Sequence, residues 1–214
     1  MKTDLNEYFD SWKEEKHSRY LSWEHCYSFF QDNKDTISSD EVIREQACLH
    51  LAFYLASWGM YRGSSNLLWN DYKIFDELLK ELLNNCSDLW KDISKITWSE
   101  LKSANEIIKK HLIKAKIQPT DTLITKILMG IYGCTPAYDR FFIDGLRKYN
   151  NTHKSISTKY NQKSFEKLKT LAEDLKFNQL LKDKNIKYPK MRLIDAYFWY
   201  IGGGKNAYSK RAKK

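Results

Sequence analysis

The chain has 214 residues, of which 42% are hydrophobic and 14% aromatic, enough to form the core of one large or two small domains and to exclude global disorder. Only eight glycines and three prolines are present, which disfavours a fold of many turns and short strands. The net charge is +9. The four cysteines form no CxxC pair, so the spacings typical of zinc and iron–sulfur sites are absent. We therefore expect the cysteines to be buried, reduced thiols.

The N-terminal stretch MKTDLNEYFDSWKEE lacks the apolar core of a signal peptide. The longest apolar run, LHLAFYLASWGMY, is shorter than a membrane span requires. We therefore expect a cytoplasmic protein with no membrane association. No nucleotide-binding glycine fingerprint occurs, and we expect no cofactor and no metal ion.

Helix patterns follow one another from the N-terminus. DLNEYFDSWKEE and SRYLSWEHCYSFFQ carry aromatic residues at three- and four-residue spacing. Ser38 and Glu41 fit a capping box that opens a helix to about Met60, and CLHLAFYLASWGMY within it predicts a buried central helix because it is apolar almost all round. DYKIFDELLKELLNNC and WSELKSANEIIKKHLIKAK predict two amphipathic helices.

Thr120 follows Pro119 and is predicted to start the helix TDTLITKILMGIYG. After a further helix to about Tyr149, the polar stretch NTHKSISTKYNQ predicts a loop, and SFEKLKTLAEDLKF and KMRLIDAYFWYI predict the last two helices. The sequence thus predicts an all-α fold of about nine helices in a single globular domain, residues 1–204. Residues 205–214 are predicted to form a flexible basic tail.

The stretch GIYGCTPAYDRFF places two charged residues in an apolar, glycine-containing turn. One interpretation is structural. Gly133 would end a helix in the left-handed conformation, Thr135 would cap the next helix, and Pro136 would occupy its first position. Asp139 would then lie in the first turn, where a carboxylate interacts favourably with the helix dipole.

A second interpretation comes from residues 122–146, TLITKILMGIYGCTPAYDRFFIDGL, which distantly resemble the core of the helix–hairpin–helix DNA glycosylases. In that family a glycine and a proline precede an aspartate at a helix start, and Gly133, Pro136 and Asp139 match this pattern. The resemblance implies that Asp139 is the catalytic carboxylate, stabilising positive charge on the sugar during base excision. The preceding segment IQPTDTL has no glycine, so it departs from the family's glycine-rich hairpin.

Four further residues are candidates for ligand or phosphate binding. In ASWGMYRGSS, small residues at near-helical spacing favour a cleft in which Arg62 contacts an anion, or alternatively close helix packing with Arg62 at the helix end. Arg140 is a candidate to hold a phosphate and Tyr138 to line a base pocket. Lys126 is a candidate phosphate-binding residue, or a partly exposed helix residue.

The excess of positive over negative charge is confined to the last third of the chain. Residues 1–140 contain 18 Lys and Arg against 21 Asp and Glu, whereas residues 141–190 contain 12 against 5, and the tail adds five more. Such asymmetry favours a polyanionic partner, DNA or RNA, although a solvated lysine-rich surface gives the same pattern.

Three functions are consistent with these patterns. The first is a nucleic-acid-associated helical protein that is non-catalytic, or a degenerate relative of the DNA glycosylases. The second is a helical module that binds a protein partner, without enzymatic or nucleic-acid activity. The third is an active base-excision glycosylase that uses Asp139. Phrases such as RLIDAYFWYIGGGK also resemble uncharacterised bacterial cytosolic proteins, which implies no particular activity.

Overall fold

The computed structural model describes residues 17–62, 65–153, 155–174 and 188–204, and every regular element in these ranges is helical. Short 3₁₀ helices connect several of the longer elements. The α-helices are α1 (Ser22–Asn33), α2 (Glu41–Ser57), α3 (Asp76–Asn85), α4 (Trp98–Lys114), α5 (Asp121–Ile131), α6 (Arg140–Asn150), α7 (Gln162–Glu173) and α8 (Lys190–Trp199).

The predicted all-α fold is confirmed, with eight α-helices in the described ranges against about nine predicted for the whole chain. The first predicted helix, DLNEYFDSWKEE, and the predicted tail lie outside the described residues. No helix in the described part of the chain has both the length and the apolar composition that crossing a bilayer requires.

The chain divides into two compact units, and the first is His17–Cys134. Its core is formed where α1, α2 and α5 pack together, with α3 and α4 packed on each other beside them. Trp23 of α1 is fully buried, and its indole N–H donates a hydrogen bond to the carbonyl oxygen of Met129 in α5 at 3.1 Å. This bond satisfies the polar atom of the largest core side chain and fixes α1 against α5.

Helix starts follow the predictions only in part. The predicted capping box of Ser38 and Glu41 is wrong, because Glu41 is itself the first helical residue. The N-cap is Asp40, whose carboxylate accepts hydrogen bonds from the backbone N–H groups two and three residues later. The predicted start at Thr120 is confirmed: its hydroxyl accepts a hydrogen bond from the N–H of Leu123 at 3.2 Å.

Helix α2 is buried on one side only, which corrects the expectation of a fully buried central helix. Leu51 and Tyr54 face the core, whereas Val42, Leu49 and Phe53 are exposed, Phe53 to 62%. The exposed residues are spaced by seven and four positions and so lie along one side of the helix. The helix is apolar on both sides, but the described parts of the chain cover only one of them.

The second unit is described over residues 135–153, 155–174 and 188–204. Its centre is the packing of α6 against α8 and against the turn Tyr200–Gly204 that follows α8. Glycine is required at two points of this packing. A Cβ at Gly145 would overlap the carbonyl oxygen of Phe198, and one at Gly202 would overlap that of Phe141.

Candidate functional site

An open cavity of about 490 Å³ lies in the first unit, between the end of α2 and the connection from α4 to α5. This volume falls in the usual range for small-molecule sites. Its polar lining consists of Arg62, Ser65, Asn66, Lys116, Gln118 and Thr120. Two of these residues are cationic, and none of the described lining residues carries a carboxylate.

Arg62 reaches the cavity because α2 ends in a tight left-handed turn. The backbone N–H of Met60 donates to the carbonyl oxygen of Leu55 at 2.8 Å, and Gly59 between them has a φ of +81°. Both features belong to a Schellman motif, in which glycine is the usual left-handed residue. The guanidinium of Arg62 packs on this glycine, since a Cβ there would lie 3.4 Å from its Cζ and Nε atoms.

Lys116 occupies, at the end of α4, the left-handed position that Gly59 occupies at the end of α2. The N–H of Ile117 donates to the carbonyl oxygen of Leu112 at 2.8 Å, and the N–H of Lys116 donates to that of Ile113 at 2.9 Å. Lys116 has a φ of +58°, the sole positive value at a non-glycine residue in the described ranges. A side chain in this conformation costs roughly 1 kcal/mol, and this one lines the cavity.

Neutral donors complete the lining. The side-chain amide of Asn66 donates to the carbonyl oxygen of Lys116 at 2.5 Å, which joins the two cavity walls. Thr120 and Gln118 lie just before α5, whose N-terminal end carries the positive pole of the helix dipole. The dipole and the amide N–H groups both favour a negatively charged group in the cavity.

No described carboxylate neutralises the two cations of the cavity. Within the ranges that the structure describes, neither Arg62 nor Lys116 forms an ion pair with a carboxylate. Two cations close to one concave surface, with no acidic lining residue, raise the local positive potential. Arginine also presents a planar fork of donors that matches phosphate and carboxylate oxygens. The arrangement is therefore suited to hold an anion.

The predicted site residues are divided between the two units. Arg62 and Lys126 belong to the first, and Tyr138, Asp139 and Arg140 belong to the second. Lys126 is 2% exposed, and its ammonium donates to the carbonyl oxygen of Trp58 at 3.0 Å while lying 5.6 Å from the centre of that residue's ring. The lysine is therefore buried, which corrects the expectation of a partly exposed residue, and it caps the C-terminal end of α2. Its predicted phosphate contact stays a prediction.

Asp139 is the N-cap of α6, with a carboxylate oxygen that accepts a hydrogen bond from the N–H of Phe142 at 3.0 Å. This corrects the expectation that Asp139 lies inside the first turn and that Thr135 supplies the cap. The hydroxyl of Thr135 instead donates to the carbonyl oxygen of Pro136 at 3.3 Å, and neither residue is helical. The left-handed end of the preceding helix at Gly133, φ +65°, is confirmed.

The neighbours of Asp139 differ in exposure. Tyr138 is buried, and its hydroxyl donates to Ser164 Oγ at 2.9 Å. Arg140 is exposed, and its guanidinium lies 4.7 Å from the ring centre of Phe141. Tyr138 is consequently engaged in the packing of the second unit, whereas Arg140 is accessible to a ligand.

A buried ion pair that was not predicted from the sequence anchors this same segment. Arg192 and Asp195 of α8 are both 1% exposed and form an ion pair at 2.6 Å. Asp195 also accepts a hydrogen bond from the backbone N–H of Ala137 at 2.9 Å. A charge pair with these partners is satisfied internally, so its role is to fix the residues before α6 on α8. The i, i+3 spacing of opposite charges in an apolar helix was the available signal.

The cysteines and histidines form no metal site in the described residues. All four cysteines are buried and free, as predicted. Burial raises the pKa of Cys48 to about 12 and that of Cys86 to about 11, because the thiolate would lose its hydration. His50 stacks on Phe29, with ring centres 4.3 Å apart, and burial lowers its pKa.

Comparisons with known proteins identify no relative. No protein-family model matches the chain, no curated protein matches its sequence, and no solved structure matches its fold. The resemblances of residues 122–146 to the glycosylase core and of several phrases to bacterial proteins therefore stay predictions. The function has to be argued from the residues and their geometry.

Proposed function

We propose that this protein binds nucleic acid without catalysing a reaction on it, and that the cavity of Arg62 and Lys116 holds a backbone phosphate. The observation that carries the proposal is the pair of cations on one concave surface, with no carboxylate among its described lining residues. Phosphate oxygens are the acceptors that an arginine fork, a lysine ammonium and amide donors suit together.

The charge distribution favours nucleic acid over a small isolated anion. Residues 141–190 and the tail carry a large excess of Lys and Arg, which would contact further phosphates along a polymer. In the described part of this region, Lys148, Lys159 and Lys163 are exposed, and so is Arg140 immediately before it. A single phosphate would not require so extended a set of cations.

The contacts of Asp139 and Tyr138 are explained by the packing of the second unit without any substrate, as a non-catalytic protein requires. Its carboxylate accepts the N–H of Phe142 at a helix start, where such a residue stabilises the fold without any substrate. Tyr138, which would line a base pocket in a glycosylase, hydrogen-bonds Ser164. Neither residue lines the described cavity.

Binding of fluorescent DNA and RNA oligonucleotides to the purified protein, measured by anisotropy from about 50 to about 200 mM salt, tests the proposal. We expect the logarithm of the binding constant to fall linearly with the logarithm of salt. Arg62→Gln and Lys116→Gln should each weaken binding and make this negative slope shallower, by about 0.7 to 0.9 per lost phosphate contact.

The matched control is Lys114→Gln. Lys114 is exposed, lies two residues from Lys116 and does not line the cavity. The substitution therefore removes the same charge but leaves the cavity lining intact. Equal losses in Lys114→Gln and Lys116→Gln would show that only diffuse charge matters. Absence of binding at low salt would contradict the proposal altogether.

A second candidate function, binding of a protein partner, is favoured by the exposed side of α2. Val42, Leu49 and Phe53 form an apolar row that the described residues leave uncovered. The simplest partner is a second copy of this chain, and sedimentation velocity across a concentration series tests for it. Self-association that resists high salt and is lost in Phe53→Glu would support this function; a monomer at all concentrations would oppose it for this partner.

A further inference from the structure

An unusually exposed tryptophan lies beside the cavity. Trp69 has 83% of its surface exposed, the highest value among the exposed large hydrophobic residues of the described chain. An exposed indole loses the stabilisation that burial would give it. Trp69 does not line the cavity itself, but it belongs to the 3₁₀ helix Asn66–Trp69, and Asn66 does.

The geometry of that helix places Trp69 on the cavity side. A 3₁₀ helix has three residues per turn, so the side chains of residues three apart lie over one another. Asn66 and Trp69 are such a pair, separated by about 6 Å along the helix axis. The indole is consequently one turn away from a residue that lines the cavity.

The backbone that carries Trp69 is anchored at both ends. Leu67 is fully buried, and its N–H donates to the hydroxyl of Ser65. The side chain of Asn66 is bonded to the carbonyl oxygen of Lys116, and that of Asn70 is bonded to the carbonyl oxygen of Asn66 at 2.7 Å. An exposed ring on a fixed backbone offers a stacking surface at little entropic cost.

We propose that Trp69 stacks on an unpaired base of single-stranded nucleic acid whose adjacent phosphate is bound by Arg62 and Lys116. This inference rests on the proposed function and specifies its ligand. Bases inside a duplex are stacked on both faces, so a lone exposed indole cannot reach them, whereas it can accept a base of a single strand. The site therefore selects single-stranded over double-stranded ligands.

The test compares three fluorescent ligands of equal length: a single-stranded oligonucleotide, its duplex, and an abasic strand that keeps the phosphates but lacks bases. Base stacking on an aromatic side chain is typically worth 5-fold to more than 100-fold in affinity. Trp69→Ala should weaken binding of the base-containing single strand by such a factor and leave binding of the abasic strand unchanged. Trp69→Phe should retain part of the affinity, because it keeps an aromatic ring.

Leu68→Ala is the matched control, since it removes another exposed hydrophobic side chain from the same 3₁₀ helix, one that does not line the cavity. Circular dichroism verifies that each variant is folded. If Arg62→Gln and Lys116→Gln weaken binding but Trp69→Ala does not, the stacking inference is wrong and the proposed function stands. If Trp69→Ala weakens binding of the abasic strand equally, or the wild-type protein prefers the duplex, stacking is likewise contradicted. If no ligand binds, both proposals fail.

Discussion

Lys116 is placed in a backbone conformation that glycine adopts at the equivalent point of α2. Gly59 and Lys116 hold the same place in two Schellman motifs, and both line the cavity. The strain at Lys116 is local, because glycine would form the same two backbone hydrogen bonds without it. A side chain kept in a strained conformation beside a cavity is a reason to look for a ligand.

Lys116→Gly should therefore stabilise the protein while weakening its ligand binding. We expect the free energy of unfolding to rise by about 1 kcal/mol, because the left-handed conformation no longer carries a Cβ penalty. Urea denaturation of the wild type, Lys116→Gly and Lys116→Gln measures this change. Lys116→Gln keeps the Cβ and removes the charge, so it should show no gain. A destabilised glycine variant would mean that the lysine side chain contributes to folding.

The thiols provide a second prediction at the scale of residues. Burial raises the pKa of Cys48 to about 12 and that of Cys86 to about 11, and it raises those of Cys26 and Cys134 further. At a pH of about 8 an unfolded thiol is partly ionised, since its ordinary pKa is about 8.5. The native protein should thus be unreactive towards DTNB there, and all four thiols should react in denaturant. Rapid reaction of the native protein would reveal an accessible thiol.

Some single residues were predictable because the signal is local. Thr120 at a helix start and Gly133 at a helix end follow from the preferences of a hydroxyl acceptor and of a residue without a Cβ. Lys116 was not predictable, because nothing in its type indicates a positive φ. Trp69 gave no signal either, since exposure depends on neighbours that are distant in sequence.

At the scale of helices, the start of α6 separates the structural and catalytic interpretations of Asp139. Asn is as good an N-cap as Asp, whereas Ala removes the acceptor for the N–H of Phe142. We expect Asp139→Ala to lower the free energy of unfolding by about 1 kcal/mol, and Asp139→Asn to leave it nearly unchanged. Thermal denaturation of the wild type and the two variants, monitored by circular dichroism, measures these changes.

The same variants test for catalysis. Incubation of the wild-type protein with oligonucleotides that contain damaged or mismatched bases should release no base. Base release by the wild type that is abolished in a stably folded Asp139→Asn variant would establish glycosylase chemistry and contradict the non-catalytic proposal. Asn keeps the cap but not the negative charge that would stabilise the sugar cation.

Helix α2 shows how far periodicity alone carries a prediction. A helix that is apolar all round is normally buried, yet Leu49 and Phe53 are exposed. The spacing of apolar residues shows which sides of a helix can be buried. Which side is covered depends on the neighbouring helices, and α1 and α5 pack on the side opposite the exposed row. The helix order was therefore predictable from the sequence, but the exposed row was not.

At the scale of the whole molecule, two kinds of positive charge have different expected effects. Arg62 and Lys116 lie on the walls of one cavity, and under the proposed function they contact a single phosphate of the ligand. The excess charge of the last third is spread over many residues in the sequence. Localised cations set where a ligand sits, whereas distributed cations chiefly set how strongly salt weakens its binding.

Removing residues 205–214 separates these contributions. The segment contains five Lys and Arg residues, so its deletion should lower the salt slope for single-stranded ligands by up to about 3.5, at about 0.7 per lost phosphate contact. The preference for single strands should persist, because Trp69, Arg62 and Lys116 remain. Anisotropy titrations over a salt series measure both quantities.

A variant with all five charges in this segment replaced by Gln serves as the control, since it keeps the chain length and should match the deletion. An unchanged salt slope in both would show that residues 205–214 do not contact the ligand, and the distributed charge would then have to act through residues 141–190. Loss of the single-strand preference would instead place base recognition in the terminal segment, because the cavity and Trp69 are intact in both variants.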